Sequence, residues 1–342
     1  MPIAPSTSSG GRARIEPRIP AVTKGQFLPP LSSAFPSQIN VDVTEYCNLA
    51  CIHCPYITAM RPKGKDRHQL SVALHRKMVD EIAAFGLGHC RFIRYTGEGE
   101  PLMHPHLDEM LADAAVRTGL PINLTTNGML LTEARSQALI DAGVTTFDVS
   151  IDALNSITYE TIRVGGILSQ VDENTRTLIR LCRPRGVNVI ISFVRQPGNE
   201  AEAEQFKRYW EDQGATAVVL RRLHSCAGYF PEVAGRMWRE APPLRTPCLY
   251  PWERLVLKPD GALAYCPAAW LHEANIADLA RESIAEAWTG EKMAALRQAH
   301  LSDDYTHHAF CSQCPDWSVI NWPGEGPTYG TVMAGLSQRS AK

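Results

Sequence analysis

The stretch Cys47-Asn48-Leu49-Ala50-Cys51-Ile52-His53-Cys54 constrains this chain more than any other. Its three thiols follow Ile39-Asn40-Val41-Asp42-Val43, an alternating apolar run that reads as a strand. The cysteines therefore have to be carried on a loop at a strand end. Thiolates are the usual protein ligands of iron–sulfur clusters, and a four-iron cube normally takes four of them. Three leave one iron without a protein ligand, and an open metal position is what separates a reactive site from a structural one. The alternative from the same residues is a zinc knuckle built from Cys47, Cys51, Cys54 and His53, which would make the chain a zinc-binding interaction module.

The bulk composition narrows the remaining choices. The net charge is −2, with 44% apolar and 20% charged residues, which gives no electrostatic case for nucleic acid or an anionic membrane surface. No run approaches the roughly 18 apolar residues of a spanning helix, and no export signal opens the chain. Ten cysteines in that setting point to a reducing compartment, and the expected location is the cytoplasm.

Residues 1–36 are rich in Ser, Pro, Gly and Arg and read as a disordered tail. From 37 to 226 one theme repeats: a short strand, a loop, then an amphipathic helix ending near a glycine. Strands are expected at 39–43, 91–95, 121–125, 146–150, 188–194 and 216–221. Helices between them end near Gly86, Gly119, Gly143, Gly186 and Gly214. Alternation of this kind implies βαβ units and a parallel sheet. In α/β barrels the chemistry gathers at the C-terminal strand ends, where the three cysteines lie.

The other strand ends carry polar groups too. Tyr95-Thr96-Gly97-Glu98-Gly99-Glu100-Pro101 follows the second, Thr125-Thr126-Asn127-Gly128 the third, and Ser150-Ile151-Asp152 the fourth. Ser150 and Asp152 share a parity opposite to that of the apolar Val149 and Ile151. Arg195 ends the fifth strand, and Arg221, Arg222, His224 and Cys226 end the sixth. Residues 227–243 read as a linker, 244–320 as a second unit and 321–342 as a C-terminal tail. The second unit holds Cys248, Cys266, Cys311 and Cys314, a hairpin turning at Asp260-Gly261, and a Ser283…Glu286 capping box. Cys90 and Cys182 read as small core hydrophobes.

These motifs together resemble the radical S-adenosylmethionine (SAM) superfamily, in its SPASM/Twitch subgroup with one auxiliary [4Fe–4S] cluster. The resemblance covers about residues 37–317. It implies an α/β fold, a partial (β/α)6 TIM-like barrel with a C-terminal SPASM/Twitch-type iron–sulfur extension. It implies that Cys47, Cys51 and Cys54 hold the SAM-binding [4Fe–4S] cluster and that Cys248, Cys266, Cys311 and Cys314 hold the auxiliary one. Gly97, Glu98, Gly99 and Glu100 match the family's Gly-Gly-Glu motif for the SAM ammonium group, with Glu98 standing where a glycine is usual. Asn127, Ser150 and Asp152 match positions that reach the methionine carboxylate and ribose. The position before the third cysteine is His53, where the family usually has an aromatic residue, so Tyr56 is expected to share contact with adenine.

The activity this implies is reductive cleavage of SAM to a 5′-deoxyadenosyl radical, followed by hydrogen abstraction from substrate. The auxiliary cluster suggests oxidation of an alcohol of a sugar or aminocyclitol in natural-product biosynthesis. Arg222, His224 or Glu98 would orient or deprotonate the hydroxyl. The alternatives are an epimerase with Cys226 as hydrogen donor and a peptide-modifying maturase. A small molecule is the expected substrate class, with flavodoxin or ferredoxin as electron donor.

Overall fold

The computed structural model of the 342-residue chain describes residues 27, 31–56, 67–270, 273–323 and 329–340. Most of the 1–36 tail lies outside them. Leu31 and Phe35, at its end, are buried.

Six parallel strands follow one another across the sheet in chain order. They are β1 (Gln38–Val41), β2 (Phe92–Tyr95), β3 (Ile122–Thr126), β4 (Val144–Ser150), β5 (Asn188–Arg195) and β6 (Ala217–Arg222). Helices Val72–Glu81, Leu107–Thr118, Glu133–Asp141, Leu168–Cys182 and Ala203–Asp212 connect them. The stripe Val171, Thr175, Leu178 and Cys182 on the fourth of these is buried, the 3.6-residue spacing of a helix laid on a sheet. Leu107–Thr118 stops where Gly119 turns to φ 64°, a conformation that costs glycine little. Strand β6 is an outer strand of the sheet, so the six strands form the partial barrel expected from the sequence. Cys90 and Cys182 are buried among apolar side chains.

At the other side the sheet continues. Strand β7 (Arg254–Leu257) pairs parallel with β1, and β8 (Ala262–Ala264) and β9 (Asn275–Asp278) follow antiparallel, giving the order β6-β5-β4-β3-β2-β1-β7-β8-β9. Each residue of β1 therefore has a partner on both flanks, Ile39 between Ile93 and Leu255 for example. The loop after β1 and the hairpin after β7 leave the sheet side by side. Cys248 precedes β7 and Cys266 follows β8, so the second cysteine set lies beside the start of β7, whereas the three-cysteine loop follows the end of β1.

The segment 227–243 contains a helix, Pro231–Glu240, which buries Ala234 and Met237. Helix Tyr329–Ser340 buries Met333 and Leu336 against Phe92 of β2 and Ile190 of β5.

His75 on helix Val72–Glu81 is buried and shares a 2.7 Å hydrogen bond with Tyr95 Oη. Burial, with smaller contributions from the nearby His104 and Arg76, pushes its pKa down to about 3. The unfolded chain binds this proton near pH 6.5 and the folded one does not, so its contribution to stability is complete above about pH 6.5 and declines below it. The slope from this group is at most about 1.4 kcal/mol per pH unit. Urea unfolding at pH 7 and pH 5 is expected to show a smaller loss for His75→Gln than for the wild type. Equal losses would show that His75 does not set the slope.

Candidate active site

The three-cysteine loop is fixed by backbone hydrogen bonds to the last residue of helix Ser156–Ile162 and to the segment after it. Ala50 N–H donates to Val164 O at 2.8 Å and Ile52 N–H to Ile162 O at 3.0 Å. Arg163, from the same segment, lies 3.8 Å from Cys51 Sγ and pairs with Asp152 at 2.7 Å. Asp152 also accepts from Val194 N–H at 2.7 Å and is fully buried. Its carboxylate is thus occupied in holding Arg163 against the cysteine loop.

Cys47, Cys51 and Cys54 line a cavity of about 340 Å3 together with Gly97, Glu98, Gly99, Glu100, Asn127 and Ser150. Both oxygens of Glu100 are used: Thr126 Oγ1 donates at 2.7 Å and Asn127 N–H at 2.8 Å. Burial raises the pKa of Glu100, and these bonds oppose the rise. Asn127 Nδ2 donates to Asn48 Oδ1 at 2.8 Å, tying the third strand end to the cysteine loop. Glu98 is ion-paired with Lys258 from just past β7, which also lies 3.8 Å from Asp42. Tyr56 is buried and does not line the cavity. His53 does line it, 3.7 Å from Asp152, and burial pushes its pKa down to about 4, leaving a neutral ring.

The second cysteine set, Cys248, Cys266, Cys311 and Cys314, lines an adjoining cavity of about 310 Å3. Both cavities sit near the lower end of the ~300–1,000 Å3 typical of ligand sites. Five residues line both: Thr96, Gly97, His224, Cys226 and Trp270. His224 and Cys226 are held there by Asp316, two residues past Cys314. Ser225 donates to Asp316 from its amide at 2.8 Å and its hydroxyl at 2.7 Å, and Ala227 N–H donates at 2.8 Å. Those bonds keep Cys226 and Ala227 at φ 54° and 59°, a region that non-glycine residues rarely occupy.

The donor sets fit iron–sulfur clusters. Burial pushes the Cys47 and Cys248 thiols up to about 12, so thiolates here call for a bound cationic centre to offset their charge. Among the described residues no three His, Cys, Asp or Glu side chains group as a single metal ion would require. The sulfurs instead border cavities.

The profile of the Radical SAM superfamily matches residues 41–207, and that of an iron–sulfur cluster-binding domain, SPASM, matches residues 248–315. The chain belongs to the radical SAM superfamily. A radical SAM domain followed by this four-cysteine SPASM domain implies SAM and two [4Fe–4S] clusters as the cofactors. This replaces the zinc-module alternative. The chain is 33% identical over 184 residues to GTP 3′,8-cyclase of Alkaliphilus metalliredigens, a match covering 52% of this chain and 54% of that protein. It thus spans about half the length of such curated relatives. Among solved structures, BtrN in complex with AdoMet and 2-DOIA superposes with a TM-score of 0.54 at 19% identity, covering 81% of this chain and 92% of BtrN. Streptococcus suis SuiB bound to precursor peptide SuiA gives 0.62 at 13% identity, covering 88% and 73%. Both show the radical SAM fold. No described helix is long and apolar enough to cross a membrane.

Arg163, Asp316, Lys258 and Trp270 were not among the residues expected from the sequence. Arg163 follows a helix, so a search of strand ends passes over it. Lys258 is 160 residues from its partner Glu98, and no local pattern announces such a pair. Asp316, two residues past Cys314, is the one of the four whose position beside a cysteine motif is a signal in the sequence.

Proposed function

We propose that this radical SAM enzyme oxidises an alcohol of a sugar or aminocyclitol to a carbonyl. Cys47, Cys51 and Cys54 would hold the SAM-binding cluster, and Cys248, Cys266, Cys311 and Cys314 the auxiliary one. When bound, SAM and its cluster supply a 5′-deoxyadenosyl radical that takes a hydrogen atom, and the auxiliary cluster supplies an acceptor for one electron. The reading is carried by the five residues common to both cavities, because a substrate there borders both centres.

Glu100 and the Gly97–Gly99 backbone would receive the SAM ammonium group, and Asn127 and Ser150 its other polar groups. Asp152 would act through Arg163. The hydroxyl proton needs a base at the junction. Burial lowers the pKa of His224, so its ring is neutral near pH 7 and able to accept a proton. Hydrogen atom, proton and electron together account for the two-electron loss.

Cys226 favours one second reading, epimerisation, since its thiol lines both cavities and could return hydrogen to a carbon radical. Anaerobic turnover of candidate polyols in deuterated solvent separates the two. A product lighter by two mass units, formed alongside 5′-deoxyadenosine, is the expected result. An isomer carrying one solvent deuterium would establish the epimerase instead. A modified peptide as the sole product would exclude both.

A further inference from the structure

Arg94 on β2 and Arg221 on β6 reach the same carboxylate oxygen, Asp148 Oδ2, at 3.2 and 3.0 Å. Arg94 lines the cavity of the second cysteine set and Arg221 that of the first, so the pair lies where the two cavities meet. Each guanidinium spends the same edge on the protein. Arg94 Nε and Nη2 donate to Thr125 Oγ1 at 3.2 and 3.1 Å, and Arg221 Nε and Nη2 donate to Ser192 Oγ at 3.1 and 3.0 Å. Ser192 Oγ in turn donates to the other oxygen of Asp148 at 2.5 Å. Nη1 of both arginines is left without a partner among the described residues. The Tyr329 ring centroid lies 3.8 Å from the Arg94 guanidinium carbon and 5.5 Å from that of Arg221, within cation–π range of both. Arg222, beside them in the first cavity, has no ion pair among the described residues.

The charges do not balance. Arg94 and Arg221 share one carboxylate, which is already hydrogen-bonded at both oxygens, and the exposed Arg222 adds a third cation beside them. Elsewhere around the two cavities Arg163 pairs with Asp152, and Lys258 stands between Glu98 and Asp42. Arg245, in the second cavity, donates to Cys311 O at 2.7 Å and Ser312 O at 3.3 Å and stacks on Tyr305, so a cation already stands beside that cysteine set. Surplus guanidiniums held partly out of water are costly unless an anion meets them. Two Nη1 donors on guanidiniums held by their other nitrogens suit a planar or tetrahedral oxyanion, and they would repel a protonated amine.

We propose that the substrate is a small molecule bearing an anionic oxyacid group, a phosphate ester or a carboxylate, seated on Arg94, Arg221 and Arg222. Of the two substrate classes above, this selects an acidic or phosphorylated sugar and disfavours an aminocyclitol with protonated amines. The inference rests on the reading that a small molecule occupies the junction, and not on what is done to it there.

The test is calorimetric titration of the reconstituted, SAM-loaded holoenzyme with inorganic phosphate, glucuronate, glucose and glucosamine. Phosphate or glucuronate is expected to bind and the other two are not; whichever anion binds more tightly identifies the group. Arg221→Gln/Arg222→Gln is expected to weaken that binding by at least about tenfold, with SAM affinity and the auxiliary-cluster spectrum unchanged. The exposed Arg222→Gln alone, which leaves the Asp148 network intact, is expected to weaken it about threefold or more. The proposal is overturned if neither anion binds the wild type, if the variants bind as tightly, or if they lose SAM affinity or shift the cluster spectrum instead. Binding is read without turnover, so a failed dehydrogenation assay leaves this result standing. Oxidation of a neutral polyol without anion binding would refute this inference alone.

Discussion

Replacing Cys248 and Cys314 together by alanine is expected to leave SAM cleavage running and to stop product formation. The two cysteines line only the second cavity, while the cleavage machinery lines the first. Removing two of four thiolates from one cluster should abolish it and spare a cluster held by three others. If the proposed oxidation is right, the substrate radical then has no acceptor for its last electron, and product should fall by about 100-fold or more while 5′-deoxyadenosine persists. Both molecules can be quantified in one anaerobic assay by chromatography with mass detection. Undiminished product would remove the second cysteine set from the chemistry. The Asp316 contacts that hold His224 and Cys226 come from the same loop as Cys314, so circular dichroism and the spectrum of the first cluster should be recorded for the variant.

The second large effect is expected at Gly99. A Cβ on this residue would stand 2.2 Å from Thr44 O and 2.4 Å from Tyr46 O, both backbone atoms just past β1. Neither carbonyl can swing aside as a side chain would, because Tyr46 O also accepts Glu100 N–H at 2.8 Å. The loop must lift, and Glu100 goes with it, away from Thr126 and Asn127. Gly99→Ala is therefore expected to weaken SAM binding by about 100-fold, since several contacts are lost together. Gly198 is the control, as a Cβ there meets nothing within 4 Å. Gly198→Ala should stay within about 0.5 kcal/mol of wild type in stability and keep normal SAM affinity. Normal SAM binding by Gly99→Ala would mean that the Gly-Glu-Gly-Glu loop does not form the SAM site.

The barrel could be read from the sequence because each βαβ unit is local. A period-2 run, a period-3.6 run and a glycine lie within about thirty residues of one another. The hairpin at Asp260-Gly261 was equally legible, and Gly261 takes φ +93° there. Strand order beyond the six units was not, because the β1–β7 pairing joins residues some 216 positions apart and has no signature in either strand. The alternation argument placed Ser150 in the cavity but fails for Asp152. Strand β4 ends at Ser150, and beyond a strand end parity no longer fixes direction. Tyr56 is the aromatic nearest the cysteines in sequence, yet the turn after Cys54 carries it into the interior. Charged groups such as Lys258 and Arg163 are set by partners distant in the chain, and only the assembled fold reveals them.

The shared strand β1 also bears on how such a protein could be shortened or recombined. Cutting the chain ahead of β7 would not release a self-sufficient catalytic half. It would strip one flank from an interior strand and leave Gln38–Val41, four buried residues, as a raw edge able to recruit other chains. The iron–sulfur extension is therefore part of the wall of the barrel, and both must be inherited, expressed and folded as one piece.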